Sequence, residues 1–162
     1  MTNSISSTAN ISKLADIETS SRGSRLIVSD KCFIDSFVKI KFSGGNGDII
    51  IGEECFINSG SVLYSGNGIT LGKQVLIAAN CTLAPVNHNY SDKTTSIREQ
   101  GFAPSKGGIV VDDDVWIGSN CTILDGAHIG KGVVIAAGSV VTGNIPPYTI
   151  YGGQPAKFLK KR

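Results

Sequence analysis

The sequence predicts an all-β fold in which the chain winds into a three-sided prism of stacked coils. Three observations carry this reading: an aliphatic residue at every sixth position, small residues at fixed offsets from it, and a composition rich in glycine but poor in aromatics. From Val111 the period runs unbroken through Ile117, Ile123, Ile129, Ile135 and Val141. A period of six fits neither a helical stripe nor simple alternation, but it fits one strand per face with one inward side chain per strand. Three hexads then make one eighteen-residue turn, and the inward aliphatics of successive turns stack into a continuous apolar core. Among 162 residues there are 20 glycines, and aromatics make up only 7%, as narrow stacked coils require.

Along the chain, residues 1–25 are polar and form a separate N-terminal segment. Ile11, Leu14 and Ile17 suggest one side of a short helix there, capped by Asn10 or Ser12. Ser20–Ser24 reads as a linker into the coil that occupies residues 26–162. The first runs of the hexad are Val28, Ile34, Ile40, then Ile51, Ile57, Leu63, then Leu71, Ile77, Leu83. Gly, Ala or Asp often follows the anchor directly, as at Asp35, Gly52, Gly72, Ala78 and Gly118. A small or β-branched residue recurs four places on, as at Val75, Val115, Ala127 and Ser139. Small residues near the corners let the chain bend, and glycine tolerates the backbone angles that corners demand.

Cys32, Cys55, Cys81 and Cys121 all occupy this four-residue offset, which elsewhere holds Val, Ala or Ser. They lack the close pairing of zinc sites. Four buried, reduced core thiols are expected, with no nucleophile among them. No run of eighteen apolar residues suggests a membrane span, and MTNSISSTANISKL lacks the apolar core of a signal peptide, so a cytoplasmic location is expected. The net charge of +2 points to no particular partner. Lys157, Lys160, Lys161 and Arg162 concentrate cations at the end of the chain. They read either as a solvated tail or as an attraction for a polyanionic ligand such as a phosphorylated cofactor. Nucleic acid is a poor fit, because no interleaved aromatics beyond Phe158 and no binding motif accompany them.

The largest break in the period is residues 85–108, PVNHNYSDKTTSIREQGFAPSKGG, which hold His88. A loop this long in a tightly wound domain is functional or disordered, and a histidine carried on a rigid scaffold suits catalysis. The other histidine, His128, precedes anchor Ile129 in a phase that points outward, as Trp116 does, and reads as an exposed face residue.

The loop histidine in NHNYSD, the segment VDDDVWIGSNCTILDGAHIGKGVVIAAGSVVTGNIPP and the ending YGGQPAKFLKK resemble the hexapeptide-repeat acetyltransferases. Within them the chain is similar to the sugar and polysaccharide O-acetyltransferases, the branch of maltose and galactoside acetyltransferases. The resemblance spans roughly residues 26–162 and implies a left-handed parallel β-helix, against the usual right-handed crossover. It also implies homotrimers with active sites between subunits. The implied reaction moves an acetyl group from acetyl-CoA to a hydroxyl of a sugar or a surface-polysaccharide precursor.

By that resemblance His88 is the general base. Histidine's ordinary pKa near 6.5 suits proton removal from an alcohol. Ser119 corresponds to a residue near the thioester; it reads either as an oxyanion donor or as an ordinary corner serine. Trp116 is expected to cover the ligand or the catalytic loop, the resemblance placing it against the loop histidine, with structural support at the subunit interface as the other reading. Asn58 matches an acceptor-binding asparagine, with an inward ladder or turn contact as the other reading. Tyr90 and Asp92 are candidates to touch the acceptor or orient His88, from sequence proximity alone. Coenzyme A would lie along the late coils at Ala136, Ala137 and Gly138, with Ser119, Thr142, Lys157 and Lys160 contacting it. Gly143 stands where many relatives carry Lys, so one phosphate contact is absent there. Zinc relatives of the γ-carbonic anhydrase type need three histidine positions, and this chain has two, so no metal is expected. Acetylation of an amino sugar or an antibiotic is the alternative enzymatic reading, and a non-catalytic scaffold is a third.

Overall fold

The computed structural model describes residues 3–162. Each coil contributes one short strand to each of three faces. The first coil holds β1 (Ser4–Ile5), β2 (Asn10–Ile11) and β3 (Asp16–Ile17). The second holds β4 (Leu26–Val28), β5 (Phe33–Ile34) and β6 (Lys39–Lys41), and the third β7 (Ile49–Ile51), β8 (Phe56–Ile57) and β9 (Val62–Tyr64). The fourth holds β10 (Ile69–Leu71), β11 (Leu76–Ile77) and β12 (Thr82–Ala84). After a loop with one helical turn, α1 (Ile97–Gln100), come β13 (Ile109–Val111), β14 (Trp116–Ile117) and β15 (Thr122–Leu124). The sixth coil holds β16 (His128–Ile129), β17 (Val134–Ile135) and β18 (Val140–Val141). It is followed by β19 (Asn144–Ile145), β20 (Thr149–Gly152) and β21 (Lys157–Lys161).

Every third strand pairs in parallel, giving three sheets that wrap the core; among the strands of the described residues only β20 and β21 pair antiparallel. This is the left-handed parallel β-helix. Register places each anchor directly on the next. On one face Val28 faces Ile51, Ile51 faces Leu71, Leu71 faces Val111 and Val111 faces Ile129. All fifteen anchors are buried, the most accessible being Val28 at 3%. One-residue slippage would turn this whole aliphatic set outward, so the apolar core fixes the register. The corners share a second regularity. At twelve of the fifteen anchors the third residue on is in the left-handed region, whether it is glycine (as Gly60, Gly132 and Gly138) or not (as Lys31, Glu54, Gln74, Asn80, Asp114 and Asn120); Ser43, Val86 and Asn144 are the exceptions. Lys, Glu and Gln are uncommon in that conformation, so coil closure overrides local preference here.

The N-terminal segment requires a correction. No helix forms over residues 11–17; Ile5, Ile11 and Ile17 are themselves a hexad and make a first coil paired with the second. Leu14, counted as part of a helical stripe, lies at a corner and is 60% exposed. Backbone bonds to β4, β5 and β6 are available only to extended strands, and they outweigh the weak helical spacing. The terminal cations also differ from a frayed tail: β21 is bonded along β20, and the Arg162 guanidinium donates to the Asp114 carboxylate at 2.8 Å.

The four cysteines are free and buried. Their thiols point to backbone carbonyls, as from Cys55 to Gly72 at 3.0 Å. Burial pushes the Cys55 thiol up to about 11 and raises that of Cys32. Among the described residues no helix is long and apolar enough to cross a membrane, and no group of three or more His, Cys, Asp or Glu is placed to hold a metal ion.

Candidate active site

The loop 85–108 leaves at the end of β12 and returns at β13, so both its ends lie against one edge of the coil. Asp125, just after β15 and 7% exposed, ties that root together. One carboxylate oxygen accepts from the Lys106 N–H (2.8 Å) and the Asn67 amide (3.1 Å), and the other accepts from the Gly108 N–H (2.9 Å). Three donors compensate the burial of this charge.

Further out, polar side chains replace an apolar core. The Asn89 amide donates to the Gln100 and Phe102 carbonyls, at 3.3 and 3.1 Å. The Gln100 amide donates to the Asp92 and Thr95 carbonyls, both at 2.9 Å. Ser96 caps α1, and its hydroxyl donates to Glu99. His88 and Phe102 face each other across an antiparallel bridge, and their rings touch with centroids 4.6 Å apart.

His88 is exposed and lines a hollow of about 280 Å³ with Asn87, Asn89, Tyr90, Ala103 and Lys106. A smaller hollow of about 120 Å³ adjoins it, sharing Asn87 and Lys106 and bounded by Leu124, Asp125 and Thr142. Thr142 thus stands beside the root of the histidine loop. It also edges a third hollow with Tyr151 and Ala156, next to Lys157. Lys160 lies further along β21, opposite Ile150, and both lysines are exposed.

Other expected residues lie apart from His88. Trp116 is 52% exposed on the face formed by β14, in a hollow of about 290 Å³ with Leu76, Val134 and Arg162. It does not line the His88 hollow of the same chain. Asn58 is a half-buried corner residue whose side chain accepts from the Ser59 N–H at 2.7 Å, the turn contact. Ser119 is a half-buried corner residue too, its carbonyl accepting from the Gly138 N–H at 2.8 Å. Asp92 is committed to the loop itself. It accepts from the Thr94 and Thr95 hydroxyls and the Thr94 N–H, and the Thr94 contacts above all hold its carboxyl down at about 2. Tyr90 is 69% exposed at the rim.

On the late coils, Ala137 is exposed, and a side chain placed at Gly138 or Gly143 would meet no atom within 4 Å. These are successive corners, Gly138 between β17 and β18 and Gly143 between β18 and β19, and only the second lies on the edge that carries the loop 85–108. Each lets a long, narrow ligand such as the arm of coenzyme A approach the backbone closely. His128 is exposed and pairs with Asp112 at 3.2 Å. Sequence reading missed Asp125, Asn89 and Phe102. An Asp-Gly pair interrupting an otherwise apolar hexad was the one available signal, for Asp125.

Comparison with known proteins agrees with this architecture. Residues 108–143 match the family described as bacterial transferase hexapeptide (six repeats), and residues 48–85 match the hexapeptide repeat of succinyl-transferase. A probable macrolide acetyltransferase of Lysinibacillus sphaericus is 52% identical over 71 residues, covering 44% of this chain and 38% of its own. The putative lipopolysaccharide biosynthesis O-acetyl transferase WbbJ of Escherichia coli is 36% identical over 98 residues, covering 57% and 50%. The chain therefore spans half or less of the length of these two relatives. Among solved structures, the S84A mutant of AntD is an N-acyltransferase from Bacillus cereus in complex with dTDP-4-amino-4,6-dideoxyglucose and coenzyme A. It superposes with a TM-score of 0.82 at 25% identity, covering 98% of this chain and 83% of that one. The hexapeptide-repeat acetyltransferase VCA0836 from Vibrio cholerae, complexed with acetyl coenzyme A, gives 0.62 at 33% identity, covering 80% and 63%. The six-residue period, the three stacked sheets and these matches on both sides of the loop show a left-handed β-helix of hexapeptide repeats similar to those of the bacterial hexapeptide transferases.

Proposed function

We propose that the protein transfers an acetyl group from acetyl-CoA to a hydroxyl of a sugar or surface-polysaccharide precursor, with His88 as general base. The observation that carries this reading is an exposed histidine on a braced loop, opening into a hollow whose neighbour reaches Thr142, beside the open corner at Gly143. His88 takes the acceptor's hydroxyl proton as the oxygen attacks the thioester carbonyl. The carbon–sulfur bond of the tetrahedral intermediate then breaks, and the same imidazolium returns its proton to the departing thiolate. Ser119 serves as a candidate oxyanion donor, Asn58, Tyr90 and Trp116 as acceptor contacts, and Ala136, Ala137, Thr142, Lys157 and Lys160 as contacts to the cofactor. Asp92 helps indirectly, by fixing the loop.

Because His88 and Trp116 line separate hollows of one chain, we place the complete site between chains of a homotrimer, where one chain's loop meets its neighbour's coil. The apolar residues on the Trp116 face suit such burial: Phe33 stacks on Phe56 at 4.7 Å, and Leu76 is 50% exposed. Transfer to an amine is the second reading. It is favoured by the fit to AntD, an N-acyltransferase whose structure holds an amino sugar. There a neutral amine attacks through its lone pair, and His88 takes the proton that the nitrogen sheds as the carbon–nitrogen bond forms.

The test is acetyl-CoA turnover against a panel of sugars, nucleotide sugars and amines, with wild type and His88→Ala side by side. Loss of general-base help should lower kcat by about 10² to 10⁴. Near wild-type turnover in His88→Ala overturns the assignment, and the preferred acceptor decides between oxygen and nitrogen.

A further inference from the structure

We propose that Phe102 is a positioning residue that holds the His88 imidazole in one orientation for proton transfer. The inference rests on His88 being the general base. His88 and Phe102 form an isolated antiparallel bridge within the loop. Two backbone bonds flank the pair: Asn89 N–H to the Gly101 carbonyl at 3.0 Å, and Ala103 N–H to the Asn87 carbonyl at 2.8 Å. Bonds on both sides make this a non-hydrogen-bonded pair, the arrangement in which opposed Cα atoms come closest, about 4.5 Å, and both side chains leave by the same face. The rings accordingly meet with centroids 4.6 Å apart and planes at 39°.

Two features keep the bridge in place. The Asn89 amide ties the strands together through the Gln100 and Phe102 carbonyls. Gly101, immediately before Phe102, takes a φ of 71°, which a side chain would resist. On the histidine side, the backbone N–H is held by the Asn87 side chain at 2.9 Å.

The ring itself has no such polar tie. Among the described residues no group hydrogen-bonds either ring nitrogen of His88, and Asp92 is occupied with Thr94 and Thr95. An orienting carboxylate or carbonyl is what usually fixes a working imidazole. Without it an exposed histidine would sample several staggered wells. Packing against Phe102 removes that freedom, leaving both nitrogens uncommitted and one ring face covered.

Small errors in the placement of a reacting group cost large factors in rate. Phe102→Ala should therefore lower kcat about ten-fold or more while KM for acetyl-CoA stays within about two-fold. Phe102→Tyr, which keeps the ring, should stay within about two-fold of wild type, and Phe102→Leu should fall between. A second readout needs no turnover. With only two histidines in the chain, the His88 ring protons are readily distinguished by NMR. In wild type they should be displaced upfield by the Phe102 ring current, and Phe102→Leu should abolish the displacement while leaving those of His128 unmoved.

Wild-type kcat in Phe102→Ala, a loss confined to KM for the acceptor, or unshifted His88 protons in Phe102→Leu each overturn the positioning role while leaving the general-base reading intact. Retained turnover in His88→Ala overturns both.

Discussion

The stacked coils and the loop 85–108 are built on opposite principles. In the coils one solution repeats: an aliphatic side chain turns inward, and the backbone bonds to the coils on either side. In the loop, α1 buries none of its residues, and the fold is held by Asp125, Asn89, Gln100, Asp92 and Ser96, each bonded to its own local partners. Apolar stacking is shared among neighbouring coils, whereas each loop bond serves only its own turn. Damage to a coil should therefore spread through the molecule, and damage to the loop should stay in the loop.

Ile117→Ala tests the first half of that contrast and should have the largest effect on stability. Ile117 is fully buried and sits between Ile77 and Ile135 in the stack. Truncating such a side chain costs roughly 2–5 kcal/mol, read as a lowered urea midpoint. A change below about 1 kcal/mol would mean that the stack relaxes around the gap, and that the coils are less tightly coupled than their register implies.

Asp125→Ala tests the second half. It leaves the buried Gly108 N–H without its acceptor, at a cost of about 1–3 kcal/mol. The damage should concentrate at the loop root. Trypsin should cut at Lys93, Arg98 and Lys106 much faster than the shift in global stability explains, and turnover should fall with it. Equal protease resistance in variant and wild type would show that the loop does not depend on its polar root.

The same contrast explains what could be read from the chain beforehand. A period repeats its signal, so fifteen anchors, the four buried cysteines and the outward phase of His128 and Trp116 were all legible from spacing. The loop offers no repetition. Its position and its histidine were visible, but the Phe102 contact depends on a hairpin register that only the folded backbone sets. Asp92, close to His88 in sequence, turns instead toward Thr94 and Thr95, because adjacent hydroxyls form a local turn more readily than an imidazole four residues back. The first coil was hidden differently: Ile11 and Ile17 fit a helical stripe once Leu14 is counted, and only pairing with the second coil selects the hexad.

The two histidines give a sharper and smaller version of the comparison. His128 stands on a coil face, about half exposed, paired with a partly exposed Asp112. Exposed pairs contribute at most about 1 kcal/mol. His128→Ala should leave turnover within about two-fold of wild type, in contrast to the loss of about 10² to 10⁴ expected for His88→Ala. Equal losses in both would dissolve the distinction between scaffold and loop.

The smallest effect is an acid response confined to the loop. Hydrogen bonds from Thr94, and then Thr95, lower the Asp92 carboxyl to about 2 in the folded chain, below the ordinary aspartate value near 3.9. A depressed carboxyl stabilises the fold fully above the unfolded value, and that contribution is lost as pH falls through the folded value. The loop should thus keep its order at about pH 5 and loosen between about pH 4 and pH 2, while the coils, which rely on apolar burial, change less. Pepsin cleavage beside Tyr90 reports this directly, with Asp92→Ala cut readily across the whole range. If wild type is equally resistant at both ends of that window, the Asp92 turn contributes nothing to loop order. The bonds of Asn89 and Gln100, neither of which titrates, then suffice to hold the hairpin that carries His88.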